Sequence, residues 1–189
     1  MLENKKKSPS KEIVGSWDVP LRGKIYKVEF EHGTTTGKRV LWIDGQEIFR
    51  RDWMFKLVGD ECFDLGNTRC IITVDPLPGF RYSYTLLVDG EPFKQFADAQ
   101  SRVLCTWRVL IDGSKTHRVV LEKDTLDIWL DGAVITETSE FVDGGTDTNF
   151  TVGGQPALLT ARTSGDKRKG IIYTLYINGA AVAPSTDTK

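Results

Sequence analysis

Arg39-Val40-Leu41-Trp42-Ile43-Asp44-Gly45 is the stretch that decides the fold. A short run rich in β-formers ends in Asp-Gly, a dipeptide that tolerates positive φ at both central positions of a tight hairpin turn. Its last four residues return as Trp129-Leu130-Asp131-Gly132, 87 positions later. Moving outward, Trp17-Asp18-Val19 returns as Trp107-Arg108-Val109 and Phe63-Asp64-Leu65-Gly66 as Phe150-Thr151-Val152-Gly153. Tyr84-Thr85-Leu86 returns as Tyr173-Thr174-Leu175, and Gly90 as Gly179. Ordered anchors with so little drift read as an internal duplication.

Each copy reads as strands. KIYKVEFEH, RVLWI, TRCIITV and YSYTLLV are short runs of β-branched and aromatic residues. Asp44-Gly45, Asp89-Gly90, Asp112-Gly113, Asp131-Gly132 and Asn178-Gly179 punctuate them. The expectation is all-β: two tandem antiparallel β-sandwich units, residues 13–93 and 103–183. Residues 94–102 form a linker, within FKQFADAQSRV, the one segment suited to a short helix. Residues 1–12 and 184–189 are polar and read as tails, the first as disordered. Lys5-Lys6-Lys7 reads as part of a solvated tail in preference to a localisation signal.

The two copies differ in one loop. After its second strand the first copy reads Glu31-His32-Gly33-Thr34-Thr35-Thr36-Gly37-Lys38; the second has only Glu122-Lys123-Asp124-Thr125. The β unit therefore does not need residues 33–38. Two readings stay open for them: a mobile recognition loop or a plain hairpin extension.

Composition narrows the function classes. The 189 residues are 40% hydrophobic and 27% charged, which suits a globular protein and not a disordered one. Net charge is −1, and residues 13–93 (10 basic, 12 acidic) and 94–189 (11 basic, 12 acidic) are each near neutral. Without a basic excess, phosphate-backbone binding is excluded as a partner mode. No apolar run reaches the roughly 20 residues that a membrane helix needs, and no apolar stretch follows the basic N-terminus. Cys62, Cys70 and Cys105 are odd in number and lack CxxC spacing, which points to a reducing, cytoplasmic setting. There Asn149-Phe150-Thr151, a formal glycosylation acceptor, is never modified.

Three motifs fail on chemical grounds. Gly33-Thr-Thr-Thr-Gly37-Lys38 is one residue short of a phosphate-binding loop, Arg39 stands where Ser or Thr is required, and a strand follows instead of a helix. Asp143-Gly-Gly-Thr-Asp147 lacks the ligand order and bidentate Glu of a calcium loop. His32 and His117, aligned with Lys123 and Lys27, are read as polar strand sites with no nucleophile or metal partner at useful spacing. Cys62, aligned with Asn149, is expected to face solvent, and Cys70, aligned with Ala157, to fill core. No enzyme, cofactor or metal site is expected.

VEFEHGTTTGKRVLWIDGQEI, DWMFKLVG, HRVVLEKDTLDIWLDG, SEFVDGGTDTNF and KRKGIIYTL carry a family resemblance across residues 13–183. Together they resemble the Fas apoptotic inhibitory molecule family. The resemblance implies two β-sandwich domains and a cytosolic, non-enzymatic regulator that opposes death-receptor-triggered apoptosis through protein partners. It also implies an alternative, a holdase-like role on misfolded or aggregating clients under stress. It brings no catalytic residues, and Gly144 stands where vertebrate members are expected to carry an acid.

Candidate contact residues come from three places. The first is the extra loop with its flank, Thr34, Thr35, Thr36, Lys38 and Arg39. The second is Lys167, Arg168 and Lys169 in the KRKGIIYTL block. The third is Trp42 and Trp129. Alternation places Leu41 and Ile43 inward with Trp42 outward, and Leu126, Ile128 and Leu130 opposite Asp127, Trp129 and Asp131. An outward Trp at the same place in both copies reads either as a protein-binding residue or as a ring covered within the chain.

Overall fold

The computed structural model describes residues 12–135, 137, 139–166 and 168–185. Of the expected tails, 1–12 and 184–189, residues 1–11 and 186–189 lie outside the described residues. Strands dominate, and the only helix among the described residues is α1 (Phe93–Val103), where the sequence placed the linker. Along α1 the least exposed residues are Phe93, Phe96, Ala97, Gln100 and Val103, the i, i+3, i+4, i+7 spacing of a single helical face.

The described residues divide into two compact units, one of residues 12–19 and 26–96, the other of residues 20–25 and those from 97 to 185. In the first unit, β1 (Ile13–Pro20), β2 (Ile25–His32), β3 (Arg39–Ile43) and β4 (Gln46–Arg51) form one sheet in chain order. The second sheet is β5 (Gly59–Leu65), β6 (Thr68–Leu77), β7 (Arg81–Val88) and the two-residue β8 (Glu91–Pro92). The second unit begins with β9 (Leu104–Ile111), β10 (Lys115–Glu122), β11 (Ile128–Leu130) and β12 (Ala133–Ile135). Its other sheet has five strands: β13 (Ser139–Val142), β14 (Gly145–Val152), β15 (Gln155–Thr163), β16 (Ile171–Ile177) and β17 (Ala180–Val182). Ser185, beyond the expected boundary, donates from its amide to the Thr106 carbonyl.

Matching anchors occupy matching strands: Trp17 and Trp107 on β1 and β9, Trp42 and Trp129 on β3 and β11, Phe63 and Phe150 on β5 and β14. All five Asp-Gly and Asn-Gly pairs take positive φ at both residues, for example 52° and 79° at Asp44 and Gly45. This is the geometry that joins right-twisted antiparallel strands most directly. One detail shifts. Asp44 Oδ1 accepts the Lys27 amide, and Asp131 Oδ1 accepts the Arg118 amide. Lys27 therefore corresponds to Arg118, and His117 to Tyr26, one residue away from the alignment read in the sequence. His117 is a buried residue whose Nδ1 lies 2.6 Å from Asp131 Oδ2.

In each unit the alternation of side chains packs one face of each sheet against the other. In the second unit Trp107, Val109, Val119, Leu121 and Ile128 from one sheet meet Phe150, Val152, Leu159 and Leu175 from the other. In the first unit the inward set is Val28, Phe30 and Leu41 with Phe63, Leu65, Cys70, Ile72, Val74, Leu86 and Val88, all buried. Cys62 is exposed and Cys70 buried, as expected. Leu126 departs from its expected inward place: it sits in a turn at φ 65°, 53% exposed, and β11 starts only at Ile128.

Candidate functional site

One end of the first unit concentrates its polar burial. The register pairs Phe30 with Leu41 and His32 with Arg39, so all four belong to the inward face. The core is thus apolar until its last layer, where His32 and Arg39 replace aliphatic residues. Arg39 is 1% exposed; its Nη1 donates to Glu61 Oε1 at 2.9 Å and its Nη2 to the Lys56 carbonyl. Arg51, following Phe49 on the same inward side of β4, brings a second guanidinium to the Glu61 carboxylate and lies over the Phe49 ring. Two cations on one buried carboxylate satisfy a charge that would otherwise be costly to desolvate.

His32 completes this layer. Its Nδ1 lies 2.9 Å from the Tyr84 hydroxyl, and its ring meets Tyr82 edge-on at 5.0 Å. Burial first, and the Arg39 charge second, hold its pKa below the ordinary histidine value, against a Leu57 backbone hydrogen bond that raises it. Burial and the Arg39 charge both favour the neutral imidazole. Burial likewise raises the Tyr84 hydroxyl. This cluster is a structural network of ion pairs and ring contacts, without an exposed nucleophile beside a base.

Above the polar layer, two loops interlock. Residues 33–38 close on themselves through Gly33 N to the Lys38 carbonyl and Gly37 N to the Gly33 carbonyl, each 2.8 Å. Met54 N then donates to the Thr36 carbonyl. Gly37 has φ 69°, and a Cβ there would stand 2.4 Å from the Met54 carbonyl oxygen, so only glycine permits the approach. The extra loop of the first unit is therefore a brace for residues 52–58. What that segment presents is aromatic: Trp53, 59% exposed, and Phe55, 91% exposed, meet edge-on with centroids 4.3 Å apart. Two apolar rings this open to water, with the intervening Met54 amide fixed by a backbone bond, form an exposed aromatic pair.

The expected contact residues fall out unevenly. Thr34, Thr35 and Thr36 are exposed beside this surface. Lys38 is partly covered and bound to Glu31 at 2.9 Å. Arg39 is corrected: a buried guanidinium committed to Glu61 and Lys56 is unavailable to a partner. Trp42 shares the outer face of its sheet with Glu29, Glu31 and Glu47, and its indole nitrogen donates to Glu31 Oε1, so its polar edge is served within the unit. Trp129 is half-buried with its indole nitrogen shielded from solvent. Arg168 and Lys169 are exposed on the β15–β16 loop of the second unit, and Lys167 lies outside the described residues. Trp53 and Phe55 were not singled out in the sequence, although DWMFKLVG breaks the strand alternation with two large rings.

The second unit offers a shallow depression of about 410 Å³ lined by Asp147, Thr160, Arg162 and Tyr176. Arg162 is already engaged by Asp147 and by the Thr146 carbonyl, so its charge is spent internally. Among the described residues no group of three or more His, Cys, Asp or Glu is placed to hold a metal ion, and no helix is long and apolar enough to cross a membrane.

Comparison with known proteins assigns the chain to a family. The model of the Fas apoptotic inhibitory molecule family matches residues 13–185, a span that includes every strand from β1 to β17. Fas apoptotic inhibitory molecule 1 of Mus musculus is 45% identical over 177 residues, covering 93% of this chain and 98% of that protein. The Rattus norvegicus protein of the same name is also 45% identical, over 93% of this chain and 88% of its own length. The Homo sapiens one is 42% identical over 173 residues, 90% of this chain and 96% of its own length. A match through both sandwiches, with relatives aligned almost end to end, places this chain in the Fas apoptotic inhibitory molecule family.

Proposed function

We propose that this protein is a non-enzymatic, cytoplasmic regulator that opposes Fas-triggered apoptosis by binding other proteins. The observation that carries the mechanism is the Trp53–Phe55 pair, exposed yet braced by a loop that the second unit lacks. A fold retains exposed paired rings on a fixed backbone at a cost in solubility, and protein recognition is the use that offsets it. The direction of regulation comes from the relatives, whose name states inhibition of Fas-linked apoptosis.

The test replaces both rings together, Trp53→Ser with Phe55→Ser. In Fas-bearing cells depleted of their own family member, the unaltered chain is expected to delay caspase activation after Fas ligation. The double variant, expressed to the same level, is expected to lose most of that delay. Full protection by the variant would dismiss the aromatic surface as the binding site. A holdase reading draws on the open strand edge described next. Sub-stoichiometric suppression of aggregation of an unrelated heated client by the purified chain would favour it.

A further inference from the structure

The two units, aligned on their repeated anchors, differ at one sheet edge. In the second unit β13 pairs antiparallel with the first half of β14, Ser139 opposite Thr148 through Val142 opposite Gly145. The hairpin closes through Asp143-Gly144, with Gly144 at φ 77°. The corresponding residues of the first unit, 52–55, form no strand. Two causes are visible. Leu57 stands at the place of Gly144, and a side chain there disfavours the left-handed conformation by about 1–2 kcal/mol. Meanwhile Met54 is tied to Thr36 and Lys56 to Arg39, which holds the segment away. The strand that matches β14 is β5, and it ends its sheet, with no neighbour on its outer side among the described residues.

We infer that an extended, basic segment of a partner polypeptide adds to the outer edge of β5, in the place that β13 fills on β14. This deepens the protein-binding reading above and rests on it. The edge is well formed for addition. β5 keeps unbroken register with β6 for seven residues, Gly59 opposite Val74 through Leu65 opposite Thr68. By contrast β4, at the edge of the other sheet, is blunted by a bulge at Leu41/Trp42 and by the Arg50–Glu47 ion pair. The residues β5 turns outward are Asp60, Cys62 and Asp64, all exposed, with Asp75 exposed further along β6. Arg69 pairs with Asp64, which leaves an acidic excess on this face. A partner strand with Lys or Arg on its outward positions meets those carboxylates across the strands, and its apolar positions alternate toward the core side.

The experiment uses the full chain labelled with nitrogen-15 and two capped octapeptides, one alternating Lys and Val, the other alternating Glu and Val. The Lys–Val peptide is expected to shift the amides of Gly59–Leu65 saturably and to slow hydrogen exchange at alternate ones. The Glu–Val peptide is expected to do neither at the same concentration. Asp60→Lys, a change at an exposed side chain, is expected to weaken the Lys–Val peptide roughly three- to fivefold, the size of one cross-strand charge pair. Absence of protection on β5 at millimolar peptide, protection only on β4, or equal binding of both peptides would each overturn the edge proposal. If the peptides fail while the Trp53/Phe55 double variant still loses its cellular effect, the edge proposal falls and the protein-binding reading stands. If they bind β5 and that variant remains fully protective, the edge proposal stands and the aromatic pair is dismissed as the binding surface.

Discussion

Met54 donates its backbone amide to the carbonyl of Thr36 at 2.9 Å, and a Cβ on neighbouring Gly37 would collide with the Met54 carbonyl. The loop unique to the first unit is thereby joined to the segment that displays Trp53 and Phe55. A change in the loop is expected to be felt at the rings.

Gly37→Ala tests that link. Alanine at φ 69° meets the left-handed penalty of about 1–2 kcal/mol, and its methyl also pushes Met54 away. Urea unfolding is expected to show a loss at or above that range, and hydrogen exchange a faster Met54 amide. Unchanged stability would mean that the loop is a mere hairpin extension, free of the aromatic segment.

Glu61 holds two guanidinium groups, one of them buried. Glu61→Gln is expected to cost about 3 kcal/mol or more, because Arg39 keeps its charge in the core with its main acceptor weakened. The paired replacement Arg39→Met with Glu61→Leu removes both buried charges and is expected to be close to neutral, with half-exposed Arg51 returned to water. Denaturant midpoints of the three proteins, the parent included, decide it; a double variant as unstable as Glu61→Gln would mean that packing, and not charge, governs the site.

Stability is expected to fall as pH drops through the ordinary histidine range. His32 has its folded pKa lowered, mainly by burial and then by Arg39, so the unfolded chain takes up its proton first. The contribution is complete above the unfolded value of about 6.5 and is lost as pH falls from there toward the folded pKa. Asp131 acts lower. Its partial burial raises its pKa, but the Arg118 amide and His117 outweigh this and leave it lowered, so its contribution fades only below about pH 4. Thermal melts at pH 7.5 and 5.5 should differ less in His32→Gln than in the parent; an equal difference would remove His32 from the account.

Single-tryptophan variants should separate the rings by environment. Trp53, 59% exposed, is expected to be readily quenched by acrylamide, and Trp107, fully buried, to be the most protected. Trp42 and Trp129, both half-buried, should fall between. The Trp53→Ser/Phe55→Ser variant should lose no more than about 1 kcal/mol, since only the ring–ring contact goes. A collapse of stability would show that the pair holds the fold together and is no free surface.

Local chemistry explains which features the sequence determined by itself. Period-two alternation and Asp-Gly or Asn-Gly pairs act within a few residues, so the all-β class, the five Asp-Gly and Asn-Gly turns, the short helix at Phe93–Val103 and the solvent-facing Cys62 were all legible there. Even outward Trp42 follows from the alternation of one strand. The braced aromatic pair was not legible, because its setting depends on residues far apart in the chain. Nothing local marks Arg39 as buried; that follows from Glu61 approaching on another sheet. Leu126 keeps an apolar pattern but sits in a left-handed turn that alternation does not register. Residues 33–38 read as a dispensable loop until tertiary packing sets Thr36 against Met54. Whether residues 52–55 pair with β5 or stand away from it is a balance among one backbone bond, one turn residue and one buried arginine, and only the folded chain brings those three together.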